Sequence, residues 1–259
     1  MIELLFWPAL AGYAEAAVAY AGDTIRPGRL ARYAIWGVRL GWLAQTGLLG
    51  AQVARAEGFP WASWGGSLNL FVWLVVGAYL IWGCRSPYRL LGFVVMPLAV
   101  GLLALAWAAG GAGAARRSGL GDVFLVFHVG LVLAAFAGFT LAAGLAGLYL
   151  WQERRLKRRT PRVLRQRAPS QEALDRLTGR TVAVALPALT LGLGVGFARL
   201  ADGGAGFDAT MAVALGAWVA YAAFLVLRYE AGWRGRRTAY LALAGFVLVL
   251  AGLVPVAHF

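Results

Sequence analysis

Eight stretches of mainly apolar residues, each about as long as a bilayer-crossing helix, follow one another through the chain: residues 4–20, 33–54, 67–83, 90–110, 122–151, 181–199, 209–227 and 238–257. Lipid cannot satisfy open backbone N–H and C=O groups, so such runs must close their hydrogen bonds internally, as helices. The 35 glycines agree with this, because small residues let membrane helices approach closely. The expected fold is all-α: a polytopic membrane helical bundle with eight transmembrane helices, forming a single integral membrane domain over residues 1–259. Met1-Ile2-Glu3 offers no basic leader, so the first run reads as a retained helix rather than a cleaved signal.

Charge orients the bundle. Short loops rich in Lys and Arg stay in the cytoplasm. Loops 21–32, 84–89, 152–180 and 228–237 carry 3, 2, 10 and 4 basic residues, whereas the alternate set holds only Arg55, Arg116, Arg117 and Arg199. Both termini are therefore expected to be extracytoplasmic. The net charge of +13 lies beside helix ends, which favours anionic lipid over nucleic acid as its partner. Within the cytoplasmic basic loop 152–180, Pro169-Ser170 before Glu172 reads as a helix start, and Leu174 and Leu177 give a weak apolar stripe. A single cysteine, Cys84, excludes an internal disulfide and a cysteine-rich metal site.

The chain has two histidines, and this topology brings both to the outer face. His128 lies early in the fifth span, which starts outside, and His258 follows the eighth. Two neutral imidazoles on separate helices can clamp a haem iron between them. Each also has a plain reading, as a satisfied bundle residue or an interfacial one. Glu15 and Arg39, inside the first two spans, are expected to form a structural salt bridge, with Gln45 and Thr46 extending a polar stripe. Trp61 and Trp64 read as interfacial anchors, or as surfaces for a flat ligand. Arg116 and Arg199 are outer cations able to pair with carboxylates such as haem propionates. Gly192-Leu-Gly-Val-Gly196 has the wrong spacing for a dinucleotide loop and is assigned to helix packing. No hydrolase, kinase or ATPase motif is present.

Several segments resemble the CcsA/HemX branch of cytochrome c assembly proteins, haem-handling membrane proteins related to CcmC. The clearest is Gly232-Trp-Arg-Gly-Arg-Arg-Thr-Ala-Tyr-Leu-Ala-Leu-Ala-Gly-Phe246 followed by His258-Phe259, similar to the family's W-K/R-G-R-R-A-A-Y…G-F…H-S ending. A second is Phe127-His128-Val129 leading to Leu148-Tyr-Leu-Trp-Gln-Glu-Arg-Arg-Leu-Lys157. Pro187-Ala-Leu-Thr-Leu-Gly192 and Gly58-Phe-Pro60 also fit. The resemblance implies that His128 and His258 are axial ligands to a non-covalent, b-type haem at the external side. The family's tryptophan-rich segment is reduced here to Phe207-Asp208, which leaves Asp208 as its one polar remnant. Gln45 and Val226 stand where active members carry intramembrane histidines.

The resemblance thus points to a haem-binding assembly factor rather than a complete haem lyase, in a bacterial-type cytoplasmic (inner) membrane. A ResB-type membrane partner would supply what the tryptophan-rich segment lacks. The alternative is a HemX-like regulatory or scaffolding protein, acting through its basic loop on a haem-synthesis enzyme without haem chemistry. A small-solute transporter rests only on the number of spans and the Glu15/Arg39/Gln45 stripe.

Overall fold

The computed structural model describes residues 2–25, 30–55, 63–82, 89–110, 123–157, 169–201 and 209–253. Among the described residues, a short 3-10 turn, Ile2–Leu5, leads into eight α-helices: α1 (Phe6–Ile25), α2 (Ala31–Arg55), α3 (Trp64–Trp82), α4 (Arg89–Ala108), α5 (Val123–Lys157), α6 (Gln171–Ala201), α7 (Ala209–Tyr229) and α8 (Arg236–Leu253). Six of them, α3 to α8, are long and apolar enough to cross a membrane. At 20 and 25 residues α1 and α2 have the length too, but Glu15, Asp23, Arg32, Arg39 and Gln45 hold their hydropathy lower. Val184 on α6 and Val247 on α8 are 75% and 63% exposed in mid-span, surfaces that suit lipid rather than water. The chain is a multi-pass, all-α integral membrane protein.

The helices group into two compact units, α1–α4 and α5–α8. Within each, every helix packs on the next and the fourth returns to the first.

In the first unit, α1 and α2 meet through small residues. A Cβ added at Gly12 would lie 2.7 Å from the Gly37 carbonyl oxygen and 2.9 Å from Gly41 Cα, so only hydrogen fits there. Tyr13, fully buried, donates to Gln45 Oε1 at 2.7 Å, and Gln45 Nε2 donates to Asn69 Oδ1 at 2.8 Å and to the Asn69 carbonyl at 3.0 Å. Beside this chain, Trp42 and Trp73 stack with centroids 5.2 Å apart, and Trp73 Nε1 donates to Thr46 Oγ1. The polar stripe expected along α2 therefore exists, but it is neutral and sealed. Glu15 and Arg39 take no part in it. Both are exposed, no ion pair joins them among the described residues, and the Arg39 guanidinium lies 5.5 Å over the Trp36 ring. The expected salt bridge fails because the two charges point away from the face on which α1 and α2 meet.

In the second unit α5 and α6 run antiparallel, with Gly138 against Ala185, Gly192 against Val132 and Gly196 against His128. α8 is antiparallel to α5 as well: Gly252 lies against Phe136 and Gly235 against Tyr149. Phe139 and Tyr221 stack at 3.8 Å between α5 and α7. At about 52 Å for 35 residues, α5 outruns the roughly 30 Å hydrocarbon core and ends in Arg154, Arg155 and Lys157. α6 starts where the sequence indicates, Ser170 Oγ accepting the Ala173 N–H at 3.1 Å as an N-cap. Leu174 and Leu177 are buried against the bundle.

Candidate functional site

The second turn of α5 carries His128, half-buried against α6. Its Nδ1 lies 2.7 Å from the carbonyl oxygen of Gly192. A carbonyl can only accept, so Nδ1 carries the proton of this bond, and Nε2 is the ring nitrogen left for a ligand. The ring rests on bare backbone: a Cβ at Gly196 would sit 2.8 Å from His128 Cε1 and 3.1 Å from Nδ1. The Met211 methyl of α7 lies 3.4 Å from that same point. The expectation that the Gly192–Gly196 segment serves helix packing is met, and one of the side chains it packs is this imidazole.

Chemically, an imidazole anchored through Nδ1 can offer Nε2 to a transition metal. The carbonyl behind it fixes which nitrogen is offered and how the ring is turned. That donor chemistry fits haem iron.

Of the other residues singled out from the sequence, Trp64 has a described side chain. It opens α3 in the first unit, half-buried, directly after Ser63, whose Oγ accepts the Gly66 N–H at 3.1 Å. Arg199 lies in α6 three residues beyond Gly196, its side chain outside the described residues. His258, Asp208, Arg116 and Trp61 lie outside them too, as do Arg117, Phe207, Cys84 and Gly58-Phe-Pro60. Of the two positions compared with intramembrane histidines, Gln45 is fully buried in the Tyr13–Asn69 network, whereas Val226 is 58% exposed on α7.

One cluster escaped the sequence reading. Asp175, in the second turn of α6, accepts two hydrogen bonds from Arg228 of α7, one from the Gly235 N–H at 2.9 Å and one from Thr238 Oγ1 at 3.1 Å. Gly235 holds a positive φ of 71° beneath the Tyr149 hydroxyl. Gly235 and Thr238 belong to the Gly232–Phe246 segment whose pattern was noted above, and the clasp gives that pattern a mechanical role. The one hint was an acid in a stretch crowded with bases.

Residues 61–256 match the family model described as cytochrome C assembly protein. The chain belongs to the cytochrome c assembly protein family. Among its relatives, "Cytochrome c biogenesis protein CcsA" of Microcystis aeruginosa is 27% identical over 264 residues, covering 82% of this chain and 80% of the relative. The protein of that name from Thermosynechococcus vestitus is 28% identical over 255 residues with the same coverage. That of Prochlorococcus marinus (strain MIT 9303) is 43% identical over 82 residues, 30% of this chain and 26% of the relative. The stretch matched to the family contains His128, Asp175, Gly192 and Gly196, and ends two residues before His258. With bacterial relatives and six apolar spans, this family member resides in a bacterial-type cytoplasmic membrane.

Proposed function

We propose that this assembly-family member handles haem for cytochrome c biogenesis, holding it non-covalently, as b-type haem, between His128 and His258 at the extracytoplasmic face. The observation that carries the reading is the Nδ1–Gly192 contact, which leaves Nε2 of His128 as the nitrogen available to iron. The antiparallel course of α5 and α8 supports the pairing, since the last residues of α8 run toward the end of the unit that bears His128. Bound there, haem would supply iron and a porphyrin for delivery to a cytochrome. The protein's part is to bind it, orient it and hold its iron. Arg199 lies one turn of α6 beyond the imidazole's seat, and with Asp208 it is assigned to the polar edge of the group.

The same reading has eight spans with both termini outside, on the charge bias of the loops. At the cytoplasmic ends, Arg155 over Trp151, Arg236 over Tyr240 and Arg237 over Trp233 make a belt of cations and rings suited to anionic lipid. A ResB-type partner is assigned the surface that the reduced tryptophan-rich segment no longer provides. The test is an absorption spectrum of detergent-purified protein from haem-replete cells, before and after dithionite. A b-type spectrum is expected, lost in the H128A/H258A double variant. A colourless wild-type protein would refute the assignment.

A further inference from the structure

Three glycines lie on alternate positions of α6, at 192, 194 and 196, and they are not equivalent. An added Cβ at Gly194 would meet nothing within 4 Å. At Gly192 it would come 2.9 Å from Val132 Cγ2, and at Gly196 2.8 Å from the imidazole carbon of His128, where ordinary contact begins near 3.4 Å. Glycine within a helix costs conformational entropy relative to alanine, so its use under a ring calls for a spatial reason. The Gly192 carbonyl has two lone pairs, and can accept from the helix and from the imidazole together.

We propose that Gly196 and the Gly192 carbonyl act as a positioning device for His128. The absent side chain at 196 lets the ring settle close enough to hydrogen-bond Gly192. That bond holds the Nδ1–H tautomer, with Nε2 presented to a ligand, before any haem arrives. The inference rests on the haem reading and adds to it a claim about the haem-free protein. A methyl group at 196 is fixed to the backbone of α6, so it is the imidazole that must shift, and lifting the ring lengthens the 2.7 Å bond. The ring is then free to exchange tautomers and to turn. Gly194→Ala, two residues away in the same helix, should do neither.

The chain has only two histidines, so nitrogen-labelled imidazole NMR of the full-length protein in detergent gives two pairs of ring-nitrogen signals, assigned with H258A. In haem-free wild-type protein the neutral form of the His128 ring should carry its proton on Nδ1. G196A should show mixed or inverted tautomers and about 10–100-fold weaker haem binding in titration, the range for loss of a supporting hydrogen bond behind a metal ligand. G194A should match wild type in both. An Nε2–H tautomer in the haem-free wild type, or a folded G196A with unchanged tautomer and affinity, would overturn the proposal. Should G196A not fold, the wild-type tautomer still decides. Should no variant bind haem, the haem reading fails while the tautomer result stands on its own.

Discussion

Asp175 and Arg228, 53 residues apart in sequence, face each other through two parallel hydrogen bonds of 2.8 and 3.0 Å. Both side chains are only 11% exposed, so the pair is largely withdrawn from solvent. The same carboxylate takes the Gly235 N–H and the Thr238 hydroxyl, and so ties the start of α6 to the end of α7 and the start of α8. Removing one partner of such a pair leaves an uncompensated charge, at a cost of about 3–5 kcal/mol. D175A and R228A should each lower stability by about that amount in SDS-induced unfolding of mixed micelles followed by circular dichroism. The double variant should be less harmed than the sum of the two. Strict additivity would mean the pair is not coupled.

How much of this was legible beforehand depended on the range of the signal. Apolar run length is local, and six of the eight expected spans meet the length and hydropathy for crossing. The α6 start was equally local, a serine one residue before the helix. Rotation about a helix axis is not local. Glu15 and Arg39 were paired by depth alone, yet the meeting face of α1 and α2 belongs to Gly12, Tyr13, Gly37 and Gly41. For Asp175 the sequence shows an acid among bases, but nothing in it says that the matching arginine lies three helical ends away. For His128 the residue type and its position in the span were readable. The carbonyl that fixes its tautomer was not, because a backbone acceptor leaves no mark in a sequence.

Gln45 is the pivot of the first unit's interior. Gln45→Leu would strand the Tyr13 hydroxyl in a sealed, apolar setting and remove the Gln45 donor from Asn69. Hydrogen bonds between membrane helices contribute about 1–2 kcal/mol at the upper end, so a loss of that size is expected in the same unfolding assay. Tyr13→Phe removes one link and should cost less. In the Q45L/Y13F double variant part of the loss should return, since the hydroxyl is no longer left without an acceptor.

The proposed orientation can be read with cysteine chemistry, because Cys84 is the chain's sole thiol. On the positive-inside assignment, loop 84–89 is cytoplasmic, and wild-type protein in intact spheroplasts should not react with a membrane-impermeant maleimide. On a Cys84→Ser background, Ser118→Cys and Gly204→Cys should be labelled from outside, whereas Thr160→Cys should be labelled only after the membrane is opened. Labelling of Thr160→Cys in sealed cells would invert the whole assignment, and with it the face proposed for haem.

Two glycines of α2's neighbourhood give a matched test of helix approach. At Gly12 an added methyl would strike the Gly37 carbonyl oxygen at 2.7 Å and Gly41 Cα at 2.9 Å, both backbone atoms of the facing helix. Neither can rotate away, so α1 and α2 must separate, and the Tyr13–Gln45 bond one residue on must stretch with them. Overpacking of this kind costs about 1–3 kcal/mol. Gly50, near the far end of α2, is exposed and has nothing within 4 Å of a Cβ, so Gly50→Ala should stay within about 0.5 kcal/mol of wild type. SDS unfolding of G12A and G50A side by side measures the difference. Equal stability would mean that α1 and α2 lie further apart in the membrane than their small-residue contact implies.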